Sequence, residues 1–266
     1  MTTTERGCSQ GWSDGAMESH EVLRIQEVYA ERERTHGSHK DNAGRQRLLL
    51  ERDVTLERSL ADRFDRPLSQ CRILDVGCGY GRLLGWCYER GVRAENLFGI
   101  DLLTNRIKIA RETYPAFAFT QGNAEQLPYP DAWFDLVVVF TVFSSILDDA
   151  MAERVARNID RVLARRGAVV WYDIRYPNPW NPAVRAMTKP RIRRLFPTFA
   201  LNLKSLSVLP VVAHRLGPHM DLPYHLLASI PILRSHHFGL LRPPADSLTG
   251  MTDGAARSAG EVCQDA

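Results

Sequence analysis

An apolar run that passes without a break into a glycine-rich turn sets the tightest limit on what this chain can fold into. ILDVGCGYGRLL, residues 73–84, reads as a strand, a turn with glycines at 77, 79 and 81, and the start of a helix. Glycine there lets the backbone take left-handed φ values and lets a ligand come close. In doubly wound α/β sheets, such a loop at the carboxyl end of a parallel strand is where ligands bind. The dinucleotide fingerprint G-x-G-x-x-G needs a glycine where Arg82 stands. The spacing alone therefore leaves the ligand open between a pyrophosphate and something else.

The rest of the chain supplies the context. EVLRIQEVYAERER (21–34) sets Val22, Ile25, Val28 and Tyr29 at helical spacing, and a second helix is expected over roughly 45–64 after a polar loop. Strands are expected at 71–77, 96–101, 116–122, 134–140 and 168–173. Helices alternate with them at 80–90, at 104–114 with Thr104 as its cap, and at 149–166, closed by Gly167 in a left-handed conformation. FDLVVVF (134–140) is apolar throughout, as a strand buried on both faces must be. Strands alternating with helices of this length predict βαβ units and a parallel sheet. After Asp173 the proline-rich RYPNPWNP cannot continue a strand. A short basic helix (189–196, Thr188 as N-cap), a sixth strand (201–209) and a last strand (237–242) are expected to follow.

The expected architecture is thus α/β: a Rossmann-like, doubly wound seven-stranded sheet, parallel with one antiparallel strand, carrying N-terminal helices and a C-terminal cap insertion. Residues 1–20 and 244–266 are polar, Gly/Ser/Ala-rich and expected to be disordered, leaving 21–243 as the folded domain. At 44% hydrophobic and 24% charged residues, such a domain can bury a core unaided. The five cysteines form no C-x-x-C pair, which argues against a disulfide framework or a structural zinc site. Neither a signal-peptide pattern nor a run of about 18 apolar residues is visible, so a soluble cytoplasmic protein is expected.

Asp101 ends the second strand 20 residues after Gly81, where an acid can take both hydroxyls of a ribose. Beyond it, QGNAEQLPYPDAWFDLVVVF runs from a strand end through an L-P-Y-P turn into the apolar fourth strand. ILDVGCGYGRLL, GIDLLTNRI, GNAEQLPYPDAWFDLVVVF and LARRGAVVWYDIR, in this order and spacing, resemble the motifs of class I S-adenosylmethionine-dependent methyltransferases. The resemblance covers about residues 70–176 and the final strand. FDLVVVFTVFSSILD followed by WYDIRYPNPWNP is similar to a subgroup found in bacterial polysaccharide and natural-product gene clusters. The resemblance implies S-adenosylmethionine as cofactor. It sets Asp75 and the backbone of Gly77, Cys78 and Gly79 at its methionine and ribose end, Asp101 on the ribose, and Leu102 against the adenine. The family usually has an Asp where Asn123 stands. The Asn123 carbonyl can still accept from the adenine amino group, with the backbone of Ala124 beside it. Phe140 would offer its carbonyl to the methionine ammonium, and Tyr29 or Arg34 would reach the carboxylate from the helix before the first strand.

Methyl transfer to a hydroxyl usually needs a general base. Ser144 and Ser145 occupy the neighbourhood where the family often has a His, so no base carries over. Asp173 and Tyr172, at the end of the fifth strand, and His36 and His219, on loops able to close over the site, are the candidates, with His39, His214 and His225 beside them. His214, His219 and His225, with Asp221 between, lack the spacing of a helical metal site, and Pro218 and Pro223 interrupt them, so no metal is expected.

From Pro177 to Pro243 nine basic residues face Asp221 alone, leaving 25 basic and 30 acidic residues elsewhere, a balance of −5. Segments 177–236, with Lys189, Arg191, Arg193 and Arg194, suit a phosphate- or carboxylate-bearing substrate, a membrane surface or a lipid-linked glycan, or form a solvated face and a plain lid. Tyr29, Arg175 and Arg194 are the expected substrate contacts. The N-P-P-Y or D-P-P-Y tetrapeptide of nucleic-acid methyltransferases is absent, so no nucleic-acid partner is expected. O-methylation of a small molecule or glycan intermediate is the expected chemistry. C- or N-methylation of an anionic metabolite, a catalytically silent cofactor-binding partner subunit, or a nicotinamide oxidoreductase are the alternatives.

Overall fold

A computed structural model describes residues 19–35, 43–178, 181–208, 224, 226–227 and 229–244. Two helices lead the chain, α1 (His20–Thr35) and α2 (Ala43–Arg63). Strands and helices then alternate: β1 (Ile73–Val76), α3 (Arg82–Glu89), β2 (Leu97–Asp101), α4 (Thr104–Thr113), β3 (Ala118–Gln121), β4 (Phe134–Phe140), α5 (Asp149–Val162) and β5 (Leu163–Ile174). A short helix α6 (Lys189–Leu195) precedes β6 (Ala200–Val208) and β7 (Arg234–Arg242).

The seven strands form one sheet in the order β3-β2-β1-β4-β5-β7-β6. β1 pairs in parallel with β2 and β4, with Asp75 opposite both Gly99 and Val138. β7 runs antiparallel between β5 and β6. The order reverses at β1, so the carboxyl ends of β1 and β4 flank a crevice on which ligands of doubly wound sheets converge.

Helices cover both faces. On one, α5 presents Met151, Ala152, Val155, Ala156, Ile159 and Val162, one apolar residue every three to four positions. They pack with Val22 and Ile25 of α1 and with Trp171, Phe196 and Phe199. On the other face, Leu56 and Leu60 of α2 join α3, α4, Phe119, Tyr172 and Phe238.

Two local expectations are corrected, the end of α5 with its Gly167 cap and the cap of α4. The helix expected to run to Arg166 and close on Gly167 stops at Val162, and the chain is extended from Leu163 onward. Its last carbonyls find distant partners: the N–H groups of Ala132 and Trp133 donate to Arg161 and Val162, both at 2.8 Å. No left-handed cap is needed there. Gly167 instead lies in β5, where a Cβ would stand 2.9 Å from the carbonyls of Ala164 and Asp135. Thr104 does not cap α4; the N-cap residue is Leu103, whose N–H is taken by the Asp101 carboxylate. Thr188 stands at the N-cap of α6 without a side-chain cap bond. The terminal segments and the loop histidines His36, His39, His214, His219 and His225 lie outside the described residues. No helix among the described residues is long and apolar enough to cross a membrane.

Candidate functional site

A cleft of about 170 Å³ opens at the carboxyl ends of β1, β2 and β4. Gly77, Asp101, Leu102, Asn123, Ala124 and Phe140 line it, together with Tyr29 from α1. The fold therefore brings six of the nine expected cofactor residues to one surface. Asp75 is buried beneath the loop and Cys78 is 7% exposed; neither they nor Gly79 line the cleft wall.

The glycine turn takes its shape from hydrogen bonds within the protein. Gly77 and Cys78 both donate their N–H to Ile100 O, at 2.8 and 3.1 Å. Gly79 donates to one oxygen of Asp101 at 2.9 Å, and Leu103 donates to the other at 2.9 Å. Three successive N–H groups that a pyrophosphate would need are thus occupied, and the anion nest of a dinucleotide loop is not formed. Gly77, Gly79 and Gly81 all have positive φ, at 72°, 55° and 78°. A Cβ on Gly77 would stand 2.9 Å from Val142, whereas one on Gly79 would meet no protein atom within 4 Å. The left-handed backbone, rather than protein packing, is what calls for glycine at 79.

Asp101 is aimed by its two backbone donors, and the second lone pairs of both oxygens remain able to accept. Beside it, Ile100, Leu102, Ala124, Ile146 and Val155 form an apolar slot. Asn123 accepts from Glu125 N–H at 3.0 Å and donates to the Glu125 carboxylate at 2.8 Å, so it caps its own turn and keeps one carbonyl lone pair. A polar ribose end beside an apolar planar end fits a nucleoside carrying a hydrophilic tail.

Burial pushes the Asp75 carboxyl up to about 8, with the Arg52 guanidinium pulling it down and Asp101 adding to the rise. Thr141, immediately after β4, has φ 56° and lines the cleft. A β-branched residue held in the left-handed region is strained. Its N–H donates to Tyr172 O at 2.7 Å and its hydroxyl to Phe140 O at 2.7 Å.

Helix α1 is fastened across the cleft. Glu21 accepts from Leu147 N–H at 2.5 Å, Arg24 donates to Ser145 O at 2.6 Å, and the Tyr29 and Ser145 hydroxyls lie 2.7 Å apart. Further along, Glu33 pairs with Arg106 at 2.7 Å, and that guanidinium lies 4.7 Å over the Tyr29 ring. Arg106, Thr141, Val142 and Met151 line the cleft without having been singled out from the sequence, as does Ser145, noted there only for standing where a His was looked for. The only sequence signal for them was their place just after the second and fourth strands.

Of the expected base and substrate residues that are described, Tyr29 lines the cleft and the others fall elsewhere. Asp173 is 1% exposed and accepts from Ser144 N–H at 2.9 Å and Ile174 N–H at 2.8 Å, pinning the loop after β4. Burial raises it to about 6, against those hydrogen bonds. Tyr172 donates to Ser207 Oγ at 2.9 Å, and burial pushes its phenol to about 12. Neither lines the cleft. Arg175 donates to Ser205 and, at 2.7 Å, to Tyr176. Arg194 is exposed at the end of α6. Its neighbours are spent on the fold: Arg185 and Arg191 pair with Asp149 at 3.1 and 2.7 Å, and Arg193 donates to Phe199 O at 2.8 Å. Among the described residues no cluster of three His, Cys, Asp or Glu could hold a metal ion.

Residues 74–171 match the family described as a methyltransferase domain. Malonyl-[acyl-carrier protein] O-methyltransferase of Serratia marcescens is 37% identical over 106 residues, 39% of this chain and 39% of that protein. A probable S-adenosylmethionine-dependent methyltransferase of Mycobacterium tuberculosis is 35% identical over 100 residues, 37% of this chain and 34% of that protein. The matched segment thus spans little more than a third of these relatives. The fold is shared with a SAM-dependent methyltransferase from Archaeoglobus fulgidus, at 15% identity, 82% of this chain, 99% of that one and a TM-score of 0.54.

Proposed function

From the premise that residues 74–171 form a class I S-adenosylmethionine-dependent methyltransferase domain, we propose that the chain methylates a small molecule or glycan intermediate at oxygen. The observation that carries this reading is the Asp101 carboxylate, fixed by Gly79 and Leu103 at the mouth of the cleft and flanked by the apolar slot. In this reading Asp101 takes the ribose hydroxyls, and Leu102 and Ala124 sandwich the adenine, with the Asn123 carbonyl beside it. Gly77, Cys78, Gly79 and Asp75 shape the methionine end, where the Phe140 carbonyl takes the ammonium.

Bound there, S-adenosylmethionine supplies a methyl group already activated by its sulfonium. The chain's own part is alignment and exclusion of water. Helix α1 closes one side of the cleft through Glu21, Arg24 and Tyr29. Thr141 and Val142 form the wall between the cleft and the end of β5. O-methylation, rather than C- or N-methylation, draws its support from the likeness to the Serratia O-methyltransferase. Biosynthesis of a secondary metabolite or polysaccharide is the setting proposed for it. Calorimetry with S-adenosylhomocysteine tests the first step, with one-to-one binding expected and no binding sinking the proposal. Turnover of labelled donor on a panel of alcohols, acids and amines tests the second; labelled amines alone would replace oxygen by nitrogen.

A further inference from the structure

Three residues other than glycine hold a left-handed backbone among the described residues: Ala132, Thr141 and Ser207, at φ 53°, 56° and 62°. Two of them are accounted for by folding. The Ala132 N–H donates to Arg161 O at 2.8 Å and closes α5, and the Ser207 hydroxyl accepts from buried Tyr172 at 2.9 Å. Thr141 is the β-branched one, for which this conformation is costliest. Of the three it alone lines the cofactor cleft, and it is exposed there. Glycine would take the same backbone without strain, so an exposed threonine at this position lowers stability rather than raising it.

The backbone around it is held from both sides. Thr141 donates its N–H to Tyr172 O at 2.7 Å, and its carbonyl accepts from Ser145 Oγ at 3.3 Å. That serine hydroxyl also meets Tyr29 of α1 at 2.7 Å. Strain of this kind persists where the surroundings over-determine it, and such residues gather at ligand sites. Any residue could make the two backbone bonds, so what threonine adds is its hydroxyl. The hydroxyl donates to Phe140 O at 2.7 Å. With its one proton used on that carbonyl, Oγ1 has only lone pairs left, and no group among the described residues donates to it. Two oxygens 2.7 Å apart at the cleft wall therefore form a pair with no proton to offer. Such a pair suits a cationic N–H donor and repels a carboxylate.

We propose that Thr141 is a binding residue for the methyl donor, its hydroxyl oxygen accepting from the methionine ammonium beside the Phe140 carbonyl. The left-handed backbone is what sets the two oxygens side by side. This role rests on the methyl-donor reading above and adds a side chain to a tail end otherwise assigned to main-chain groups and Asp75.

The experiment measures three ligands by calorimetry on the full chain. They are S-adenosylhomocysteine, its decarboxylated form, which keeps the amine, and 5′-methylthioadenosine, which has no amino-acid tail. Wild type is expected to bind the first most tightly and the third least. Thr141→Val, equal in shape but without the hydroxyl, should weaken both amine-bearing ligands about tenfold and leave 5′-methylthioadenosine within about twofold. Thr141→Ser should keep wild-type affinities. Thr141→Gly should bind like the Val variant, and it serves where the Val variant fails to fold. Without ligand it should melt about 2 °C or more above wild type, because the strain is gone. Unchanged affinities in the Val and Gly variants overturn the inference, as does a Gly variant that melts below wild type. Wild type that binds the decarboxylated form no better than 5′-methylthioadenosine also overturns it. So does a loss confined to S-adenosylhomocysteine, which would put the carboxylate at Thr141, or an equal loss for all three ligands, which would make the hydroxyl structural. Failure of wild type to bind any of the three would instead sink the methyl-donor reading.

Discussion

At Asp101 a single carboxylate does two things at once: it holds the glycine turn through Gly79 and starts α4 through Leu103. Both bonds are local to strand ends, which is why the residue was legible from spacing alone. Replacing it with Asn keeps the volume but removes the charge from bonds to ribose hydroxyls and turns one acceptor into a donor facing a backbone N–H. Hydrogen bonds to a charged group contribute about 1.5–3 kcal/mol. Asp101→Asn should accordingly weaken S-adenosylhomocysteine about 10- to 100-fold by calorimetry; an unchanged affinity would remove Asp101 from the ribose. Arg52 and Arg106 escaped the sequence reading for the opposite reason. A guanidinium in an amphipathic helix looks like any solvated charge until packing shows which ring it covers and how few partners it keeps.

Strands were the easiest elements to foresee, because a run such as FDLVVVF has no other way to bury both faces. The α5–β5 boundary was missed since its helix end is satisfied by Ala132 and Trp133, some thirty residues earlier in sequence. Two elements yield predictions. In β7, Gly239 pairs with both Trp171 and Leu203, and a Cβ there would stand 1.8 Å from Asn202 O. That contact is backbone on backbone, so no side-chain rotation relieves it. Gly239→Ala should destabilise the protein by at least about 3 kcal/mol, read as a lower urea midpoint; a shift under a third of that would mean the β6–β7 ladder yields easily. Helix α1 buries only Val22 and Ile25, about 1.5–3 kcal/mol each. It therefore depends on its polar clamp more than α5 does. Arg24→Ala, which removes the bonds to Ser145 and Glu21, should raise amide exchange across residues 20–35 about tenfold or more and speed S-adenosylhomocysteine release, leaving α5 protected. Exchange confined to wild-type rates would show that α1 needs no clamp.

At the scale of the whole molecule, four buried groups among the described residues carry the large shifts that shape how stability follows pH. Burial holds His236 down to about 3 and His237 to about 4, with neighbouring Arg52 and Arg175 adding to the effect. Burial raises Asp173 to about 6 and Asp75 to about 8. In the unfolded chain the histidines titrate near ~6.5 and the acids near ~3.9. Around pH 5 the unfolded chain therefore holds two protons on the histidines that the native state lacks. The native state holds two on the carboxyls that the unfolded chain lacks. The two differences oppose each other, and stability changes little with pH. Above about pH 6.5 the histidines are neutral in both states and Asp173 has ionised, so only Asp75 remains protonated in the native state alone. Stability then falls as pH rises, at about 1.4 kcal/mol per unit, until Asp75 itself ionises near 8. Thermal melts of the cofactor-free protein should show a plateau through pH 5–6 and a decline from 6.5 to 8 worth about 2 kcal/mol. Asp75→Asn, neutral in both states, should flatten that decline and turn the plateau at pH 5–6 into a rise of about 1.4 kcal/mol per unit, because Asp173 alone then opposes the two histidines. A decline that persists in the Asn variant would place its origin at another group and leave Asp75 ionised beneath the glycine turn.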